Sequence, residues 1–177
     1  MASWQMSRAL EVRNIPVPTS LAYFLMDGDS FFLSELLVDS TLLNDYLSSL
    51  TGERQKRQAL KKLAIWLRNI HDHHIWQPDF KSSNVVCRNG DYLMVDLDSV
   101  KIYRRLPDEN KIVNLAQLNA SLSNAITIKD RLRFYCYYMA EARLTRQQRR
   151  AIYRKVWGIT ATKNTSVFGL DIEGLMS

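Results

Sequence analysis

The stretch Ile75–Val100, IWQPDFKSSNVVCRNGDYLMVDLDSV, decides the reading of this chain. Asp79 is followed five residues later by Asn84, and an apolar run then delivers a second aspartate, Asp96, seventeen residues beyond the first. That is the spacing of a phosphoryl-transfer site. A hydroxyl attacking a γ-phosphate must be oriented and must lose a proton, so a carboxylate belongs beside it, while magnesium neutralises the phosphate oxygens through hard oxygen ligands. In that chemistry Asp79 is the candidate base and Asn84 and Asp96 are the candidate metal ligands. Lys81, two residues after the base, is placed to offset charge on the transferring phosphate. Val85-Val86 and Tyr92-Leu93-Met94-Val95 read as two short strands joined by a turn at Asn89-Gly90-Asp91, a hairpin that holds Asn84 and Asp96 on one wall.

The constellation resembles the catalytic and metal-binding loops of the protein-kinase superfamily, in which H-R-D-x-K-x-x-N is followed by D-F-G. Two positions depart from the pattern. Gln77-Pro78 stands in place of His-Arg, and Asp96-Leu97-Asp98 in place of Asp-Phe-Gly. The flanks narrow the resemblance. RNIPVPTSLAYF and FFLSELL look like the segment leading to the fifth strand and hinge of the lipopolysaccharide kinase (Kdo/WaaP) family, and KIVNLAQLNASLSNAITIKDRLRFYCYYM is similar to the segment that follows its metal aspartate. The similarity extends from about Leu10 to Trp157.

The resemblance implies an α+β, protein-kinase-like fold: a mainly α-helical large lobe with a catalytic β-hairpin and a truncated small lobe. It implies ATP and Mg2+ as cofactors and transfer of the γ-phosphate to a sugar hydroxyl on a glycolipid or sugar acceptor. The hinge then lies at Glu35 through Leu37, with Val86 and Val95 as the floor under the adenine. No glycine-rich phosphate loop precedes Asn14, and no strand carrying a phosphate-pairing lysine fits in the first dozen residues. The expected organisation is therefore a small-lobe remnant and hinge over 1–37 and a large lobe over 38–177. Residues 2–13 look like the single helix of the small lobe, with Glu11 too close to the next strand to be the lysine's ion-pair partner. The missing parts also support a second reading, a catalytically weak or inactive kinase-like binding module.

Composition sets the frame around this motif. At 177 residues and 46% hydrophobic, the chain can bury one substantial core. No apolar run approaches the roughly 18 to 20 residues that span a bilayer, and the N-terminus lacks the layout of a secretory signal. With two cysteines, Cys87 and Cys136, giving no disulfide framework, the expected location is the cytoplasm, with possible peripheral contact at the inner membrane. The net charge of +6 favours anionic partners. Arg143, Arg146, Arg149, Arg150, Arg154 and Lys155 cluster on the helix LTRQQRRAIYRKVWG. Its apolar residues Leu144, Ile152, Tyr153, Val156 and Trp157 partly face the core, and Arg146, Arg149, Arg150 and Arg154 form either a solvated face or a surface for anionic membrane. No nucleic-acid-binding pattern is present, so nucleic acid is not the expected partner.

Helical spacing appears over 40–50 and over 53–74, where Leu60, Leu63, Ala64, Leu67 and Ile70 form an inward stripe feeding the catalytic loop, with Thr51-Gly52 as the break between. Residues 106–112, LPDENKI, read as a polar connection in the place of a short activation segment, one that suits a small or glycan acceptor better than a peptide. His71, His73 and His74 lack the further ligands a zinc site needs, which makes His71 a structural residue at the end of the long helix.

Overall fold

The computed structural model of the chain describes residues 2–142 and 144–163, so Arg143 lies outside the described residues. The chain opens with helix α1 (Ala2–Val12), followed by the antiparallel hairpin β1 (Ser20–Met26) and β2 (Asp29–Ser34). One face of that hairpin rests on α1, where the Trp4 ring meets those of Tyr23 and Phe32 at 6.4 and 5.9 Å.

A short strand β3 (Ser40–Leu42) leads into α2 (Leu43–Ser49), and the long helix α3 (Glu53–Asp72) runs to the catalytic loop. The stripe at Leu60, Leu63, Ala64, Leu67 and Ile70 is buried throughout, as its 3-4 spacing requires. The expected helix over 40–50 is shorter than its apolar pattern suggested. Ser40, Thr41 and Leu42 instead pair with Arg88, Cys87 and Val86, so their backbone groups are satisfied by a sheet edge rather than left as the orphan donors of a first helical turn.

Strand β4 (Ile75–Trp76) precedes the catalytic loop and pairs with β7 (Lys101–Ile102); between them lie β5 (Val85–Arg88) and β6 (Asp91–Met94). Asn89 and Gly90 carry φ of 54° and 78°, the double left-handed turn that an Asn-Gly hairpin uses. The sheet order β3-β5-β6 leaves β5 central.

Three helices complete the chain: α4 (Asp108–Ser121), α5 (Ile128–Tyr138) and α6 (Arg146–Lys163). The segment 106–112 is not a polar connection throughout. Pro107 takes the cap position with extended backbone, and Asp108 and Glu109 enter the first turn of α4, where carboxylates complement the helix dipole. Thr127 caps α5 by accepting the Asp130 N–H at 3.2 Å. Helix α3 packs on α5, and α4 on α6.

One hydrophobic core runs through these elements, from Leu10, Ile15 and Val17 to Leu63, Met94, Leu118 and Val156. Among the described residues no helix is long and apolar enough to cross a membrane.

Candidate active site

The catalytic loop is held from behind by buried polar groups. Gln77, fully buried, donates from Nε2 to the Asp96 carbonyl at 2.6 Å and accepts the Ser99 hydroxyl on Oε1 at 2.6 Å. The residue in the motif's histidine position thus ties the loop to the segment carrying the second aspartate. Its own carbonyl accepts Asn114 Nδ2 at 2.7 Å. From one turn further along α4, Gln117 donates to the Pro78 carbonyl at 2.5 Å and accepts the Phe80 N–H at 3.2 Å, gripping the peptides on either side of Asp79.

His71 extends the network under the loop. Its Nε2 meets Asn114 Oδ1 at 3.3 Å and its Nδ1 meets the Tyr138 hydroxyl at 2.7 Å. Asn114 Oδ1 can only accept, so Nε2 carries the proton and Nδ1 accepts from Tyr138. Burial pushes the imidazole down to about 4, against which the Asn114 bond acts weakly. The expected structural role of His71 holds. Gln77, Asn114 and Gln117 were not foreseen as site residues; each is one polar residue in an otherwise apolar context, a signal too common to single out.

In front of this network stand the candidate catalytic and metal-binding residues. Asp79 is exposed, and its Oδ2 accepts from Lys81 Nζ at 2.6 Å, a bond that raises the lysine's affinity for its proton. Asn84 is buried at the end of a short 3-10 turn, Ser82–Asn84. Its Nδ2 donates to the Asp79 carbonyl at 3.0 Å and to Asp96 Oδ2 at 3.3 Å. The Asn84 carbonyl also receives the Val95 N–H, the step that zips the hairpin up to Asp96. Asp96 itself has φ of 59°, a left-handed conformation rare outside glycine, asparagine and aspartate. The structure therefore brings Asp79, Lys81, Asn84 and Asp96 together.

A cleft of about 520 Å³ adjoins Asp96, and Glu35, Leu37 and Val95 line it. Val86 does not; it pairs across the sheet with Leu42 and Leu93. The Glu35 carboxylate is turned to structural use. It accepts the Thr19 N–H at 3.1 Å and faces Arg88 at 3.3 Å, and these contacts, the Thr19 amide foremost, hold it below the usual carboxylate range. From α1, Ser3 donates to Asp98, and Ser7 accepts from the Ser20 hydroxyl at 2.6 Å. Glu11 accepts the Ser20 N–H at 2.8 Å and pairs with Arg8. No lysine or arginine appears in the cleft lining among the described residues.

On α6, Arg146, Arg150 and Arg154 are exposed. Arg149 is half-buried and donates to the Ala142 carbonyl at 3.0 Å, so its guanidinium helps hold the α5–α6 connection.

A family model described as the lipopolysaccharide kinase (Kdo/WaaP) family matches residues 1–138. The chain belongs to that family. The match begins earlier than the sequence resemblance and stops at the end of α5, so α6 with its arginines lies outside it. Among solved structures, one of WaaP in complex with acyl carrier protein superposes with a TM-score of 0.70 at 20% identity, covering 93% of this chain and 73% of that one. At that identity the likeness shows the kinase-like α+β fold. A comparison with curated proteins finds no match.

No cluster of three or more histidine, cysteine or acidic side chains that could hold a metal occurs among the described residues. A kinase metal does not need one, since one carboxylate and one amide oxygen are completed by the phosphates. The pair fits that role: Asn84 spends its amide nitrogen on Asp79 and Asp96, leaving Oδ1 with only the Ser83 hydroxyl at 3.4 Å.

Proposed function

We propose that the chain is an ATP-dependent phosphotransferase of the lipopolysaccharide-core sugar kinase type, transferring the γ-phosphate to a sugar hydroxyl. The observation that carries this reading is Asn84, whose one amide nitrogen links the Asp79 backbone to the Asp96 carboxylate. Asp79 accepts the proton of the attacking hydroxyl. Lys81, beside it, exchanges its ion pair with Asp79 for the phosphate oxygens as charge builds there. Mg2+, when bound by Asp96 and Asn84, supplies neutralisation of the phosphate charge. Glu35 through Leu37, as the hinge, and Val95, as part of the floor, orient the nucleotide base. On this reading 1–37 serves as small lobe and hinge and 38–177 as large lobe, and the protein works at the cytoplasmic side of a membrane that holds its acceptor. Arg146, Arg150 and Arg154 support that location as exposed cations on one helix.

The test separates metal binding from base catalysis. Asp96→Ala should abolish turnover and magnesium-dependent nucleotide binding, whereas Asp79→Asn should keep binding and lower turnover by about 10²-fold or more. Equal loss of binding in both would mean the roles are wrongly divided. A second reading, a weak or inactive kinase-like module, is favoured by the absence of any lysine or arginine in the described cleft lining. Magnesium-dependent ATP binding by the wild type with no turnover toward any sugar would decide for it.

A further inference from the structure

We propose that Lys101, which lies against the Trp76–Tyr103 aromatic pair, together with Arg104 and Arg105, which directly follow that pair in the chain, forms a subsite for an anionic group on the sugar acceptor. The proposal rests on the phosphotransferase reading above and assigns the acceptor side of that site.

Placement is the first argument. Strand β7 pairs with β4 so that Lys101 lies opposite Trp76, and Lys101 Nζ sits 5.7 Å from the Trp76 ring centroid. Tyr103 meets the same indole edge-on at 6.1 Å, and its N–H donates to the His74 carbonyl at 2.9 Å, which fixes the chain just before Arg104. Trp76 is three residues from Asp79, at most about 11 Å of extended chain. The cations therefore flank the strand that delivers the candidate base.

Charge is the second argument. Several cations around the site are matched by an acid: Lys81 by Asp79, Arg88 by Glu35, Lys111 by Asp108 and, further off, Arg68 by Glu141. Lys101, Arg104 and Arg105 are exposed and have no ion pair among the described residues. No acid stands between Asp98 and Asp108 in the sequence. Three cations within five positions repel one another until an anion arrives, and two guanidinium forks match the oxygens of a phosphate or carboxylate.

Chemical need is the third. A sugar offers several similar hydroxyls, and choosing one requires an anchor away from the reacting atom. An ion pair beside the strand that leads to Asp79 sets that register, and the indole and phenol rings give the sugar's C–H face an apolar wall.

Binding of glucose 6-phosphate to the full chain, without nucleotide or magnesium, tests this by calorimetry and by tryptophan fluorescence. Inorganic phosphate and glucose serve as separate arms. Saturable binding of the sugar phosphate, tighter than either arm, is expected, with the fluorescence response lost in Trp76→Phe. The triple variant K101Q/R104Q/R105Q should weaken binding at least tenfold, while R146Q/R150Q/R154Q, which removes the same charge from α6, should not. The binding is measured without nucleotide, magnesium or turnover, so a failure of the base assignment would leave this result standing. Absence of saturable binding, equal loss in the two triple variants, or phosphate alone binding as tightly as the sugar phosphate would each overturn the proposal.

Discussion

Two hairpins in this molecule are closed by the same kind of turn and meet opposite fates. Asp27-Gly28 between β1 and β2 has φ of 53° and 90°, and Asn89-Gly90 between β5 and β6 has 54° and 78°. In β5–β6, Val85, Val86, Cys87, Tyr92, Leu93 and Met94 are all buried, between the strand β3 on one edge and the helices beneath. In β1–β2, Leu21, Phe24, Leu25, Met26, Phe31 and Leu33 are exposed, and α1 covers only the face bearing Tyr23 and Phe32. Turn chemistry thus makes a hairpin, and flanking layers decide whether it is rigid; a two-stranded ribbon is marginal by itself. The candidate metal ligands Asn84 and Asp96 flank the rigid one, and Asn84 ties the candidate base to it through the Asp79 carbonyl. The side of the cleft built from β2 and the segment after it is the loosely supported one.

The comparison breaks first at Met94. Its side chain is fully buried beneath the catalytic hairpin, so Met94→Ala should cost about 2 to 5 kcal/mol, read from the denaturant midpoint. A loss under about 1 kcal/mol would show that β5–β6 is no better supported than β1–β2.

The buried network under the catalytic loop adds a pH test. His71 is held to about 4 in the folded chain by desolvation, below the ordinary 6.5. The unfolded chain therefore binds the extra proton first, so this contribution is complete above about pH 6.5 and is lost as pH falls toward 4. The span corresponds to about 3 kcal/mol in the order-of-magnitude sense of linkage. His71→Asn should flatten the stability profile across that window; an unchanged slope would mean the imidazole is not held neutral by the fold.

These results also mark what a sequence can carry. The proximity of Asp79, Lys81, Asn84 and Asp96 was legible because the phosphoryl-transfer chemistry proposed for them demands particular residue types at fixed spacing, and the fold brings the four together. The α3 stripe was legible because burial imposes a period. The helix start at Leu43 was not, since Ser40–Leu42 pairs with a strand more than forty residues away and local periodicity holds no record of that partner. Val86 and Val95 are both expected in the floor under the adenine, and of the two Val95 lines the cleft, while Val86 pairs with Leu42 and Leu93 in the middle of its sheet. Gln77, Asn114 and Gln117 stayed hidden because their role lies in bonds to backbone, which any amide side chain can make.

Gln117 sharpens the comparison on the kinetic side. Gln117→Leu leaves the Phe80 N–H and Pro78 carbonyl without their partner and lets the Asp79 peptide drift, so turnover should fall about tenfold. Nucleotide affinity should stay within about twofold, because Gln117 touches neither Asp96 nor the cleft lining. Parallel loss of affinity would place Gln117 in the general support of the lobe and not in the aim of the base.

The smallest effect is expected on the bare hairpin. Leu25 is 66% exposed and pairs in register with Ser30, so most of its surface is in water before any substitution is made. Burial energy scales with area removed from water. Leu25→Ser should therefore shift stability by less than about 0.5 kcal/mol, about 1 to 2 °C in the melting midpoint of a chain this size. The gain should appear in solubility: Leu25 is one of the exposed apolar side chains of this hairpin, with Leu21, Phe24, Met26, Phe31 and Leu33, and an exposed apolar ribbon of this kind invites association. Light scattering against concentration, run beside the melting curve, measures both quantities at once. A destabilisation comparable to that of Met94→Ala would show that Leu25 is covered in solution, and the contrast between the two hairpins would then be one of partners and not of support.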